Sequence, residues 1–211
     1  MNTRLIKVNP LDPEGALIEK AAHILKNGGV IGYPTETVYG LGTDAYNEEA
    51  LGRLFKIKGR ETNKPVSILI RNVEMLEEVT SRIPPLAVSL IQGYWPGALT
   101  IIFHASKRCP PILTGKSGKV GVRISPNKIA QKLLGAFERP LTSTSANLSG
   151  MPSFSDPHEV YRLFRGRIDL VIDGGKTEGK GESTVIDVTV SPPKVLREGI
   201  VKLKAKDESS I

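Results

Sequence analysis

The chain has 211 residues, of which 39% are hydrophobic and 24% charged, a composition typical of a globular protein with one well-buried core. Its 29 basic and 22 acidic residues give a net charge of +7, which favours an anionic partner such as nucleotide phosphates or RNA, although a basic surface without a specific partner has the same charge. A single cysteine excludes an intrachain disulfide, the three histidines lack metal-ligand spacing, and no apolar run is long enough to span a membrane. We therefore expect a cytoplasmic protein without a protein-bound metal cluster.

Helices and strands alternate in the first half of the chain. Asp12 is the predicted N-cap of the first helix, and a buried strand follows at 30–33. Asn47 is the predicted N-cap of a second helix, over 48–58, with Gly59 as its C′ residue. The remaining predicted elements of this half are a strand at 65–70 and helices at 73–79 and 85–92.

Short strands predominate in the second half. Ser125 is predicted to cap a helix over 127–137, and Asp156 to cap the next helix. The predicted strands of this half cover 99–103, 119–125, 140–147, 168–172, 184–188 and 195–196. This order predicts one α/β domain over residues 1–202, built on a mixed sheet, and a polar tail over 203–211.

The stretch 29–45 is the strongest candidate for a ligand site. Pro34 cannot donate a ladder hydrogen bond, so the strand should end or bend there. Thr35, Glu36 and Thr37 then lie where the strand opens out, and the glycines that follow allow another group to approach the backbone. This combination indicates ligand binding rather than packing.

Three familiar site patterns are incomplete. Gly40–Ala45 matches a dinucleotide fingerprint, but no helix begins within its glycines. Gly115–Ser117 and Gly175–Thr177 resemble the end of a P-loop, yet both lack the earlier glycine that the motif requires. Ser143 and Ser145 lack the glycine-flanked elbow of a hydrolase nucleophile. The sequence therefore favours none of these classes.

Polar side chains near predicted strand ends make up the remaining candidate site. The set contains no cysteine and no histidine pair for covalent or metal-centred chemistry. Its hydroxyls and cations would instead stabilise anions and orient groups, which suits phosphoryl or nucleotidyl transfer. Two of its members, Lys58 and Arg60, fit two interpretations equally well: cations that complement a helix dipole, or a clamp for a polyphosphate. The full set comprises the hydroxyls of Thr35, Thr37, Ser143, Ser145 and Ser183, the cations Lys58, Arg60, Arg123 and Arg197, and also Glu36 and Asn147.

Several motifs follow one another in a fixed order: Gly32–Gly42, Lys58–Arg60, Tyr94–Thr100, Val120–Arg123, Ser145–Asn147, and Asp173–Gly175 with Glu182–Val185. In this order they resemble the YrdC/Sua5 family of threonylcarbamoyl-AMP synthases, and the likeness covers about residues 12–200. The resemblance implies a YrdC-like α/β fold, an open twisted mixed β-sheet flanked by helices, with a concave basic face. It also implies condensation of L-threonine, bicarbonate or CO2, and ATP into threonylcarbamoyl-AMP and pyrophosphate.

The resemblance also implies partners and site residues. Mg2+ would bridge the phosphates, and a separate transferase would place the threonylcarbamoyl group on adenosine 37 of tRNA. The catalytic tetrad around the ATP phosphates would be Lys58, Arg60, Ser145 and Asn147; Ser153 and Arg197 would also contact ATP; and Thr35, Arg123, Ser143 and Ser183 would hold threonine, with Arg123 on its carboxylate.

Two departures from the family pattern leave alternatives open. Glu61 follows the Lys-x-Arg motif where the family often has proline, and the chain resembles the short form, without the C-terminal domain of longer members. The alternatives are a YrdC-like module that binds tRNA or other RNA on its basic face, and a paralogue without synthase activity. The complete Lys-x-Arg and Ser-x-Asn pairs favour the synthase.

Overall fold

The computed structural model describes residues 2–179 and 181–203. Within these residues the helices are α1 (Gly15–Lys26), α2 (Glu48–Lys58), α3 (Leu76–Val79), α4 (Pro85–Tyr94), α5 (Pro111–Thr114), α6 (Lys128–Phe137) and α7 (Pro157–Phe164). The strands are β1 (Arg4–Lys7), β2 (Ile31–Tyr33), β3 (Gly40–Gly42), β4 (Ile68–Leu69), β5 (Leu99–His104), β6 (Lys119–Arg123), β7 (Leu141–Thr142), β8 (Thr144–Ser145), β9 (Leu170–Asp173), β10 (Thr184–Asp187) and β11 (Lys194–Arg197). None of the described helices combines the length and apolar character of a membrane span.

The strands form two mixed sheets that meet at one short segment. The first sheet has the order β1-β9-β2-β3-β8, and the second has the order β11-β10-β5-β6-β4-β7. Because β7 pairs in the second sheet and β8 in the first, the chain passes between the sheets at Ser143. There the Ser143 N–H donates to the Ser67 carbonyl oxygen at 2.7 Å. Residues 143–145 therefore lie where both sheets can contribute side chains.

Helices cover both faces of the first sheet and one face of the second. Leu25 of α1 and Leu133 of α6 belong to a core cluster on one face of the first sheet, and Leu54 of α2 and Phe164 of α7 belong to the cluster on its other face. Helices α2 to α5 pack on the second sheet. Its opposite face carries the polar Thr100 and remains available for a cavity.

The predicted mixed α/β architecture is confirmed, but the strands form two hydrogen-bonded sheets, and β1 and β3 were not predicted as strands. β1 depends on parallel pairing with β9, in which Arg4 lies opposite Leu170 at the far end of the chain. β3 reads Gly-Leu-Gly, a poor strand former by propensity. A Cβ on Gly42 would lie 2.7 Å from a ring carbon of Tyr33, so close packing between neighbouring strands requires glycine there.

The predicted ends of α2 are confirmed, whereas the predicted start of α1 is wrong. Asn47 accepts the Ala50 N–H at the start of α2, and Gly59 has a left-handed conformation at its end. In α1 the first helical hydrogen bonds go to the carbonyl of Glu14, and not to Asp12. The Asp12 carboxylate instead pairs with Lys132 of α6 at 3.0 Å.

The prediction that Ser125 caps α6 is also wrong. Asn127 accepts from the first backbone N–H groups of this helix, while the Ser125 hydroxyl donates to the Glu36 carboxylate. Asp156 caps α7 as predicted. The strand predicted at 65–70 forms a ladder only over β4. The predicted tail lies outside the described residues from position 204 onward.

Candidate active site between the two sheets

A polar cavity opens where the two sheets meet. The β2–β3 loop and β3 contribute from the first sheet, and β5, β6, β10 and β11 contribute from the second. Residues 143–145 close one wall. The charged residues that line the cavity, among those described, are Arg60, Arg123, Glu182 and Arg197.

Strand alternation decides which side chains reach the cavity. In β5, Leu99 and Ile101 face the apolar core, whereas Thr100 between them lines the cavity. In β6, Gly121 and Arg123 lie on the cavity side. A Cβ on Gly121 would come within 2.8 Å of the Ser67 hydroxyl oxygen, so this glycine keeps space open in the cavity wall.

One side of the site, which we call the buried half, consists of Thr35, Glu36, Thr37, Arg123, Ser125 and Ser143. Arg123 donates through Nη1 to Glu36 Oε1, and Ser125 donates to Glu36 Oε2. Arg123 Nη2 lies 3.3 Å from Ser143 Oγ, and Nη1 lies 3.4 Å from Thr37 Oγ1. The Arg123 side chain is only 7% exposed. An ordered cation with polar neighbours thus lies at the cavity wall.

The opposite side, which we call the open half, consists of Arg60, Ser153, Glu182 and Arg197. Glu182 accepts from Ser153 Oγ at 3.1 Å and also forms an ion pair with Arg197. The Arg197 and Glu182 side chains are 44% and 41% exposed. Ser183 connects this half to β5, because its hydroxyl contacts Arg197 Nη2 at 3.0 Å and Thr100 Oγ1 at 2.9 Å.

Arg60 has donor capacity to spare within the open half. Its Nη2 donates to the Pro65 carbonyl at 2.8 Å. Its Nε is buried and has no hydrogen-bond partner among the described residues. Burial lowers the pKa of Arg60 from its usual value, but a guanidinium stays protonated at neutral pH. A buried N–H without a partner is uncommon in native proteins, and an anionic ligand would satisfy it.

Lys58, Ser145 and Asn147 form a compact group that we call the lysine bracket. Lys58 Nζ donates to the backbone oxygens of Ser145 at 2.5 Å and Asn147 at 2.8 Å, and to Asn147 Oδ1 at 3.0 Å. The Ser145 hydroxyl donates to the same Oδ1 at 2.8 Å. The bracket fixes residues 145–147, and Ser145 lines the cavity.

The protonation of Lys58 is finely balanced. Its pKa is lowered to about 7, mainly by burial and also by the nearby Arg60 cation, while Glu182 opposes the shift. The three oxygen acceptors match the three protons of an ammonium group. Lys58 therefore titrates near neutral pH, and an added negative charge in the cavity would favour its charged form.

The structure brings the site residues predicted from the sequence into one region, in two layers. Four of them, Glu36, Lys58, Asn147 and Ser153, stand behind the wall and position other groups. Those that line the cavity are Thr35, Thr37, Arg60, Arg123, Ser143, Ser145, Ser183 and Arg197.

The polar residues of the cavity wall that sequence reasoning missed include Ser67, Thr100, Thr144 and Glu182. Thr100 had a usable signal, since it is a polar residue flanked by apolar core residues in a strand. Glu182 precedes Ser183 directly, but its contacts with Ser153 and Arg197 join separate segments and leave no local pattern.

A family model named for Sua5, YciO and YrdC, and described as "Telomere recombination", matches residues 23–199. The chain belongs to this family. A Threonylcarbamoyl-AMP synthase of Pyrococcus abyssi is 43% identical over 187 residues, which cover 89% of this chain and 55% of that protein. The corresponding synthase of Bacillus subtilis is 36% identical over 189 residues, which cover 89% of this chain and 54% of that protein. The chain therefore spans about half the length of these two relatives.

Solved structures of family members share the fold. The crystal structure of P. abyssi Sua5 complexed with L-threonine superposes with a TM-score of 0.94 and 41% identity, covering 99% of this chain and 61% of that one. The crystal structure of Escherichia coli YciO gives a TM-score of 0.89 and 32% identity, covering 96% and 98% respectively. YciO therefore matches this chain in length, whereas Sua5 extends beyond it.

Proposed function

We propose that the chain is a threonylcarbamoyl-AMP synthase, a nucleotidyltransferase that condenses L-threonine, bicarbonate or CO2, and ATP. The observation that carries this proposal is the presence, in one cavity, of an ordered buried arginine and a separate group of phosphate-type donors. Similarity to proteins named as synthases, and to a Sua5 bound to L-threonine, supports the same assignment.

The buried half would bind threonine. Arg123 would receive the carboxylate, since a charge-assisted hydrogen bond from a guanidinium is stronger than the hydroxyl contacts that it makes now. Thr35, Ser143 and Ser183 would place hydroxyl groups around the rest of the amino acid. Thr35 already shares a hydrogen bond with Thr37 at 2.9 Å and donates to the Val38 carbonyl, so its position is fixed before a ligand arrives.

The open half and the lysine bracket would bind ATP. Arg60 and Arg197 would contact phosphates, Lys58 would add positive charge behind them, and Ser145, Asn147 and Ser153 would complete the wall. Glu182 and the surrounding hydroxyls suit a Mg2+ ion that arrives with the nucleotide, because Mg2+ usually takes one or two protein carboxylates together with phosphate oxygens and water. When bound, Mg2+ would neutralise charge on the phosphates.

The reaction then needs orientation more than acid–base chemistry. The threonine amine adds to CO2 and loses a proton, which gives a carbamate. A carbamate oxygen attacks the α-phosphorus of ATP, the bond to the β,γ-phosphates breaks, and pyrophosphate leaves with the electron pair. Arg60 and the charged form of Lys58 would offset the negative charge that develops on the phosphates.

The proposal places the product at the start of tRNA modification. A separate transferase, as a partner, would move the threonylcarbamoyl group to adenosine 37 of tRNA. In this proposal the described residues act as one catalytic domain in the cytoplasm.

A family member without synthase activity is the second candidate, since E. coli YciO, of which this chain covers 98%, does not carry the name of a synthase. RNA binding on a basic surface is the other alternative and would weaken steeply with salt. The cavity favours small ligands over RNA, because two of its arginines, Arg123 and Arg197, already pair with carboxylates of the protein itself.

Pyrophosphate release from ATP tests the proposal, with L-threonine and bicarbonate each present and absent and the adenylate detected by mass spectrometry. We expect release and adenylate formation only when both co-substrates are present. ATP binding without release in any combination would contradict the synthase assignment and favour the second candidate. Salt-sensitive RNA binding without ATP binding would favour the RNA module.

A further inference from the structure

Glu36 is a largely buried carboxylate that stands behind the cavity wall. It lies in the loop after β2, next to Thr35, and its side chain is 16% exposed. Its two oxygens have different partners on the same neighbouring segment: Arg123 at the end of β6 and Ser125 two residues later. Both oxygens are thus occupied by groups of the protein, and the carboxylate is not among the residues that line the cavity.

The contacts of Arg123 are unequal in strength. Its bond to Glu36 is a charge-assisted ion pair between a buried guanidinium and a largely buried carboxylate. Its contacts to Ser143 at 3.3 Å and Thr37 at 3.4 Å lie at the weak end of the hydrogen-bond range. A ligand carboxylate could therefore replace either hydroxyl contact while Arg123 stays in place.

The burial of Arg123 makes a counter-charge within the protein necessary. A guanidinium that is 7% exposed keeps its charge and needs a partner in the protein whether or not a ligand is present. Without Glu36 the arginine would turn toward other acceptors or toward water, and each ligand-binding event would have to order it again.

We propose that Glu36 is a positioning residue that holds Arg123 ready for the substrate carboxylate, with Ser125 fixing the second oxygen of Glu36. This inference rests on the proposed function for the identity of the ligand, L-threonine. It assigns Glu36 no contact with substrate and no proton transfer. Its effect is to lower the cost of ordering Arg123 when the amino acid binds.

Binding measurements on Glu36→Gln test this inference, because glutamine keeps the shape and loses the charge. We expect the Kd of L-threonine to rise by about tenfold or more and the Kd of ATP to stay within about twofold. Ser125→Ala leaves the ion pair intact and should raise the threonine Kd by no more than about threefold. Equal weakening of both ligands by Glu36→Gln would overturn the inference.

Asp44→Asn is the matched control. Asp44 is another buried carboxylate, 3% exposed, that pairs with an arginine (Arg139 at 2.9 Å) outside the cavity. Both variants should lower the unfolding temperature, but only Glu36→Gln should weaken threonine binding. A threonine Kd that rises equally in both would show a general loss of stability and would overturn the positioning role.

A measurement without substrate separates this inference from the proposed function. In protein with isotope-labelled arginine, we expect the Arg123 side-chain NMR signals to show restricted rotation in the wild type and free rotation in Glu36→Gln. Restricted rotation in both would overturn the inference, whatever the protein binds. If the wild type bound no L-threonine, the proposed function would fail, while the Arg123 signals would still decide the role of Glu36.

Discussion

The two halves of the site both contain an arginine–glutamate pair, in different surroundings. Arg123 and Glu36 are 7% and 16% exposed, whereas Arg197 and Glu182 are 44% and 41% exposed. Breaking a buried pair by removing one partner costs about 3–5 kcal/mol, while an exposed pair contributes about 0–1 kcal/mol. The buried half is therefore held ready before ligand binding, and the open half can rearrange around a ligand at little cost.

The largest expected effect comes from Arg123→Ala. It would remove the proposed carboxylate partner and leave Glu36 buried without its counter-charge, so we expect a threonine Kd about a hundredfold higher and a loss of roughly 3 kcal/mol in unfolding free energy. Titration calorimetry and urea unfolding measure the two effects. Arg197→Ala is the exposed counterpart and should lose less than about 1 kcal/mol. Equal losses in the two variants would remove the distinction between the halves.

Lys58→Met should have the next largest effect. It removes three hydrogen bonds that fix residues 145–147, together with a charge beside the proposed phosphate site. We expect the turnover number to fall about a hundredfold, since misplacing a wall of the site affects the orientation of the reacting groups. The Kd of L-threonine should change by less than about threefold, because the buried half is separate. A normal turnover number would contradict the role of the bracket.

Protonation of Lys58 should couple to ATP binding. Because its pKa in the folded protein is about 7, much of the lysine is neutral above that pH. Phosphates in the open half would raise this pKa, so ATP binding above pH 7 should take up a fraction of a proton, and binding well below pH 7 should take up none. Calorimetry in buffers of different ionisation enthalpy measures this uptake. Lys58→Met should abolish it, and an unchanged uptake would assign the proton to another group.

The smallest expected effect is that of Glu182→Gln. It removes an exposed negative charge from the open half and frees Arg197 and Ser153 from their carboxylate partner. With Mg2+ omitted, we expect ATP to bind more tightly, by no more than about fivefold, because the variant removes a negative charge that repels the phosphates. Equilibrium binding at low and moderate salt measures the change, which should shrink as salt screens the charges. A loss of affinity for metal-free ATP greater than about tenfold would show that Glu182 contacts the nucleotide directly.

The sequence predicted what depends on local signals. Asn47 and Gly59 mark the ends of α2 because a cap side chain and a left-handed glycine act within one turn. Pro34 ends β2 for a similarly local reason. The cavity residues were found as polar side chains at strand ends, and the strand ends converge because the two sheets meet at Ser143.

What the sequence did not predict depends on distant partners. β1 is a strand only because it pairs with β9. β3 contains two glycines, and at Gly42 the close approach of the Tyr33 and Leu141 side chains leaves no room for a Cβ. Asp12 has the residue type of an N-cap, but its carboxylate pairs with α6 instead. The Ser125 hydroxyl likewise donates to Glu36, and among the described residues it accepts only the Asn127 N–H just before α6, while Asn127 caps the helix. A local pattern cannot show such competition between a helix cap and a tertiary contact.

A crossed binding experiment tests the division of the site most directly: L-threonine and ATP are each titrated into the wild type, Arg123→Ala and Arg60→Ala. The wild type should bind both ligands. Arg123→Ala should lose L-threonine and retain ATP, and Arg60→Ala should lose ATP and retain L-threonine. If each variant lost both ligands equally while remaining folded, or if Arg123→Ala retained L-threonine, the proposed division between the buried and open halves would be wrong.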